Sequence, residues 1–106
     1  MPRVTFVQPD GSRQTLDAAE GMTGMDVARH HGVRGLRGEC GGEALCSTCH
    51  CYVDAEWAAR VPPRDKKEAD LLDFVWDRHE RSRLSCQLVL TEALDGLVLH
   101  VPERQL

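Results

Sequence analysis

Residues 3–8 alternate, with Val4 and Phe6 on one side and Thr5 and Val7 on the other, a period of two that predicts a strand. Pro9-Asp10-Gly11-Ser12 is a turn sequence, because Pro fixes φ and Gly accepts a positive φ, so residues 13–16 are expected to return as the second strand of a hairpin. After a link at residues 17–21 the period lengthens. Thr23 is an N-cap candidate, Asp26 stands three residues on as its capping-box acid, and Met25, Val27, Ala28 and His31 give the helix an apolar side that ends at Gly32. Residues 49–54 regain strand character, and residues 55–60 are expected to form a short helix closed by Val61-Pro62-Pro63. The strongest helical pattern covers residues 66–79: Ala69, Leu72, Val75, Trp76 and His79 project to one face, while Asp70, Asp73 and Asp77 line another. Residues 87–90 read as a strand, Asp95-Gly96 as a hairpin-type turn and residues 97–101 as the last strand, stopped by Pro102. This order predicts a single small α+β domain over residues 1–106, with helices packed on one mixed sheet.

Composition narrows the functional classes. The chain of 106 residues carries 17 acidic and 13 basic side chains, so a nucleic-acid role is not expected and a basic partner surface is more natural. No apolar run approaches the roughly 20 residues of a membrane span. The opening Met1-Pro2-Arg3-Val4 shows no apolar signal core, which leads to the expectation of a cytoplasmic location. The five cysteines are an odd number, unlike a secreted disulfide framework, and reduced thiols in such a compartment more often bind metal or do redox chemistry.

The cysteines dominate the chemistry. Cys40, Cys46, Cys49 and Cys51 fall within twelve residues, and Cys86 stands alone. Read as ligands, Cys40, Cys46, Cys49 and Cys86 give the spacing C-x5-C-x2-C-x36-C. Residues 32–42 hold five glycines (Gly32, Gly35, Gly38, Gly41 and Gly42), a segment suited to bring backbone N–H groups against a buried object. A structural zinc site would also take four thiolates, but zinc modules usually repeat C-x2-C and this chain has one such pair. A Cys46-Ser47-Thr48-Cys49 redox disulfide would need neither Cys40 nor Cys86. An iron–sulfur cluster accounts best for the spacing and its neighbours. Gly41 and Gly42 allow close backbone approach to the sulfurs, and Ser47 and Thr48 add short hydroxyl donors.

The string C-G-G-E-A-L-C-S-T-C-H, with R-S-R-L-S-C-Q-L further on and the ending D-G-L-V-L-H-V-P-E-R-Q-L, resembles the adrenodoxin/putidaredoxin-type [2Fe–2S] ferredoxins, most closely their bacterial members. The resemblance covers nearly the whole chain. It implies a β-grasp fold and a [2Fe–2S] cluster on Cys40, Cys46, Cys49 and Cys86, leaving Cys51 as a core thiol. His50 matches a histidine that bonds across to the segment before the fourth ligand, where Ser82 and Arg83 stand here. The implied function is a monomeric one-electron carrier rather than an enzyme. It would take electrons from an FAD-containing, NAD(P)H-dependent ferredoxin reductase and pass them to a bacterial cytochrome P450 monooxygenase. An iron–sulfur assembly role with the same cofactor is the alternative, and a zinc-stapled binding module the alternative of another class. For docking, the resemblance points to Asp70 and Asp73 on the acidic helix and to Glu39 beside the first ligand. At the C-terminus Leu106 stands where a docking tryptophan occurs in the family, and Lys66 and Lys67 replace acidic positions, which implies a different cognate partner.

Overall fold

The structure, a computed structural model, describes residues 2–36 and 49–103. Its centre is a parallel pair: β1 (Arg3–Val7) lies beside β5 (Leu97–His100), with Val4 opposite Leu97 and Phe6 opposite Leu99. On one flank β2 (Arg13–Asp17) pairs antiparallel with β1. On the other, β3 (His50–Val53) pairs antiparallel with β5 and then with β4 (Ser82–Leu84). The five strands therefore run β2-β1-β5-β3-β4 in one mixed sheet. With its packed helices this is the α+β, β-grasp arrangement.

Local chemistry explains the first third of the chain. Gly11 takes φ +88°, Gln8 N–H donates to Ser12 O at 2.8 Å, and Asp10 Oδ1 accepts from Ser12 N–H at 2.9 Å, which closes the β1–β2 hairpin. Those bonds from Ser12 hold the Asp10 carboxyl below its ordinary value. Helix α1 (Gly24–His30) starts on a full capping box, in which Asp26 N–H donates to Thr23 Oγ1 and Thr23 N–H to Asp26 Oδ2, both at 3.1 Å. Gly32, at φ +67°, ends it. Val27 and Ala28 face the main core with Val4, Phe6, Leu88, Leu90, Leu97 and Leu99, whereas Met25 points into a second, smaller apolar cluster.

Four expected elements differ. The helix expected over residues 66–79 is α2 (Lys66–Leu71) followed by a 3-10 turn at Leu72–Phe74, and Val75 is already extended at φ −82°, ψ 154°. Leu72 and Val75 are both buried, and this bend seats both in the smaller cluster, so packing overrides the helical period. Residues 55–60 form turns rather than a helix, with Trp57 buried against Gly96. Residues 87–90 do not join the sheet. Their backbone instead ties to the entry of α1, with Gly24 N–H donating to Leu88 O at 2.9 Å and Leu90 N–H to Met22 O at 2.8 Å. Asp95-Gly96 is consequently no hairpin turn, although Gly96 does take φ +97°, because β5 inserts between β1 and β3. Residues 82–84, expected only to lead to Cys86, form β4.

Gly35 shows how closely the segment after α1 packs. Its φ is +90°, and a Cβ there would lie 2.5 Å from Val101 Cγ1, on a short, stiff, buried side chain. Gly35→Ala is expected to cost about 2 kcal/mol from overpacking and left-handed strain. Urea denaturation of the holo-protein checks it, and an unchanged midpoint would mean that the segment can move aside freely.

Candidate metal centre

The β3–β4 pair builds the described part of the site. His50 lies opposite Leu84, and Ser85 N–H donates to Cys49 O at 2.9 Å. The ladder thus delivers Cys49, just ahead of β3, to Cys86 on the 3-10 turn Ser85–Gln87. Both side chains are nearly inaccessible, at 1% and 5% exposure. They share a hydrogen bond, which together with burial and the neighbouring sulfur holds the Cys49 thiol far above its ordinary pKa.

Met25, Leu72, Val75 and Leu84 wall this pair, with Leu71 at the margin. Gln87 Nε2 donates to Cys86 Sγ at 3.3 Å. Ser85 Oγ is buried with no hydrogen-bond partner among the described residues. Two soft donors in a dry pocket can ionise together only if a positive centre neutralises them. An N–H aimed at sulfur and an orphaned hydroxyl beside it suit such a group. The residues present therefore fit a metal–sulfur centre. Among the described residues no group of three or more His, Cys, Asp or Glu side chains could hold a metal ion, so these two thiols are an incomplete ligand set. Cys40 and Cys46 lie outside the described residues, as do Glu39, Gly41, Gly42, Ser47, Thr48 and Leu106.

Cys51 is fully buried in the main core rather than in the cluster that holds Cys49 and Cys86. Burial pushes its thiol up to about 12, so it stays protonated.

The segment leading into Cys86 is fixed to β3 on one side and α2 on the other. His50, fully buried, shares a 2.9 Å hydrogen bond between Nε2 and Ser82 Oγ. Burial pulls its pKa down to about 4, so the ring is neutral near pH 7. Ser82 Oγ also accepts from His79 N–H at 2.9 Å. Tyr52, two residues along the same face of β3, meets His50 edge-on and stacks on His79 with ring centroids 4.0 Å apart. Its hydroxyl donates to Asp77 O at 2.7 Å, where Asp77 holds a left-handed φ of 56°.

From α2, Glu68 grips Arg83 with two bonds of 2.6 and 3.0 Å and accepts Leu84 N–H at 2.9 Å. This pair is almost wholly buried, with side chains 2% and 6% exposed. Arg83 further donates to Pro62 O. Tyr52, His79 and Glu68 were not singled out for a site role by the sequence reading. The i, i+2 spacing of His50 and Tyr52 was an available signal, whereas nothing distinguishes Glu68 from a surface acid.

The two acids expected to dock partners lie on α2 and on the turn that follows it. Asp70 pairs with Lys66 at 3.3 Å and Asp73 pairs with Arg78, and both carboxylates are exposed. Next to Asp73, Phe74 is 72% exposed.

Comparison with known proteins agrees with this geometry. Residues 7–91 match the family model for the 2Fe-2S iron-sulfur cluster binding domain. Rhodocoxin from Rhodococcus erythropolis is 44% identical over 106 residues, covering 99% of each chain. The crystal structure of a ferredoxin from Rhodopseudomonas palustris HaA2 superposes with a TM-score of 0.96 at 51% identity, covering 99% of this chain and 100% of that one. A chain in the crystal structure of the covalent putidaredoxin reductase–putidaredoxin complex matches with a TM-score of 0.92 at 41% identity, covering 96% of this chain and 99% of that one.

Proposed function

This chain belongs to the family of 2Fe-2S iron–sulfur cluster binding domains and has a [2Fe–2S] cluster as its cofactor, and from that premise we propose that it is a one-electron carrier between two proteins. Cys40, Cys46, Cys49 and Cys86 hold the cluster. Electrons arrive from an FAD-containing, NAD(P)H-dependent ferredoxin reductase and leave for a cytochrome P450 monooxygenase, in the bacterial cytoplasm, with the carrier as a monomer. The observation that carries this reading is the buried Cys49–Cys86 thiol pair in a chain of this family.

When bound, such a cluster supplies a one-electron couple whose potential depends on burial and on hydrogen bonds to sulfur. The chain's own residues do the rest. Met25, Leu72, Val75 and Leu84 exclude water from the thiols. The Gln87 amide N–H on Cys86 favours the more negative, reduced state. His50 and Ser82 keep the two ligand-bearing segments in register without adding charge. Asp70 and Asp73 lie on the docking face, with Glu39 and Leu106 as further contacts. No nucleophile–base pair is required, since the reaction is transfer of an electron between partners. A small, partly polar interface suits a carrier that must release each partner quickly.

The test is spectroscopic and then functional. The purified holo-protein is expected to be brown, and when reduced by a host flavoprotein with NAD(P)H it should support turnover of a host monooxygenase. A colourless protein with stoichiometric zinc would overturn the cofactor; reduction without turnover by any host monooxygenase would overturn the delivery step.

A further inference from the structure

We infer that Phe74, rather than the neighbouring carboxylates, is the anchor by which this carrier binds its reductase, and that the reductase presents an apolar recess with a rim of mixed charge. This rests on the carrier reading above and goes beyond it in naming the contact.

The first observation is electrostatic. Asp70 and Asp73, the two acids assigned to docking, are each held by a cation of the same chain, Lys66 and Arg78 respectively, and Asp77, the third acid of the stripe, is set apart at a left-handed residue tied to Tyr52. A bound pair presents a dipole, whose field falls off faster than that of a free charge, so these carboxylates steer a basic partner weakly. Exposed pairs of this kind also gain little on contact, because their own partners already compete for them.

The second observation is apolar. Among the described residues Phe74 and Val89 are the exposed large hydrophobics, and Phe74 is the more open of the two at 72%. It directly follows Asp73 and lies within the span of the Asp73–Arg78 pair, at the end of the turn Leu72–Phe74. A large exposed aromatic next to a compensated ion pair has the composition of an interface centre: a desolvated anchor beside a polar rim. Val89 lacks that setting, since it lies in the segment bridged to Thr23 at the entry of α1.

The third observation ties the ring to the redox centre. Leu72 and Val75 flank Phe74 and point inward, into the cluster that holds Cys49 and Cys86. One short turn therefore has its outer side on the solvent and its inner side on the thiol pocket. A partner seated over Phe74 is brought close to the ligands, as electron transfer demands. The occupant is the reductase because a relative of the same fold, putidaredoxin, is found in a covalent complex with its own reductase.

The experiment uses full-length holo-protein and the host flavoprotein that reduces it with NAD(P)H, with steady-state kinetics over a range of salt. Phe74→Ala is expected to raise KM for the carrier about tenfold with kcat changed little, and Phe74→Leu to recover part of that loss. The double variant Asp70→Asn with Asp73→Asn is expected to shift KM by less than about threefold. Because Phe74 is exposed, its variants should keep the visible spectrum, the melting temperature and the rate of reduction by dithionite. A Phe74→Ala protein with KM within about twofold of the parent, or an acidic double variant with the larger loss, overturns the inference while leaving the carrier reading intact. A parent protein that no host flavoprotein reduces overturns the carrier reading and this inference with it.

Discussion

Cys86→Ser is expected to leave a protein that cannot keep its cluster: colourless as purified, or bleaching at least about tenfold faster than the parent after reconstitution. Iron in such clusters prefers soft thiolate donors, and a serine hydroxyl is both harder and far less acidic. The surroundings cannot compensate. Cys86 is buried among Met25, Leu72, Val75 and Leu84, so no water stands ready to take the vacated position. Its partner Cys49 would then face an oxygen that must itself be desolvated. Cys51→Ala is the control, since Cys51 lies in the main core. It should keep the full visible spectrum and lose about 1 kcal/mol through a small cavity. The reverse pattern, with Cys51→Ala colourless and Cys86→Ser brown, would overturn the ligand assignment.

Glu68→Gln is expected to destabilise the protein by about 3 kcal/mol or more, although it alters one charge and hardly any volume. Arg83 would remain buried with no counter-ion, because Glu68 supplies both carboxylate oxygens to its guanidinium. The bond that Glu68 accepts from Leu84 N–H would also weaken, two residues before Cys86. For a domain near this size that loss corresponds to a fall in apparent Tm of roughly 15 °C. The same variant should shed the cluster faster, because the strand that carries Leu84 into Cys86 is no longer clamped to α2. Asp70→Asn, on the same helix but in an exposed pair with Lys66, should move Tm by no more than about 2 °C. Comparable melting of the two variants would show that the buried pair contributes nothing beyond a surface one.

The contrast between Glu68 and Asp70 marks the boundary between what was readable along the chain and what was not. Both are acids in the same predicted helix, and nothing in the sequence places one inside. Burial of Glu68 follows from where β4 carries Arg83, and β4 was not expected at all. The same holds for Tyr52 and His79, whose stacking joins residues far apart in the chain. The helix over residues 66–79 was legible as an apolar stripe, and Leu72 and Val75 are indeed buried. Its break after Leu71 was invisible, because it arises from the pocket those two side chains fill.

Amino-acid order alone was enough for the β1–β2 hairpin, the Thr23–Asp26 capping box, the stop at Gly32 and the cysteine spacing that led to the [2Fe–2S] family. These are features in which a few neighbouring residues set dihedral angles, satisfy their own backbone groups or supply a fixed set of donors. Folding in three dimensions decided that β5 lies between β1 and β3, that residues 87–90 bind the entry of α1, that Cys86 meets Cys49, that Glu68 is inside and that Phe74 is left outside. Such outcomes are set by apolar burial and ladder bonds between segments distant in sequence. No local pattern encodes the sum that selects among them.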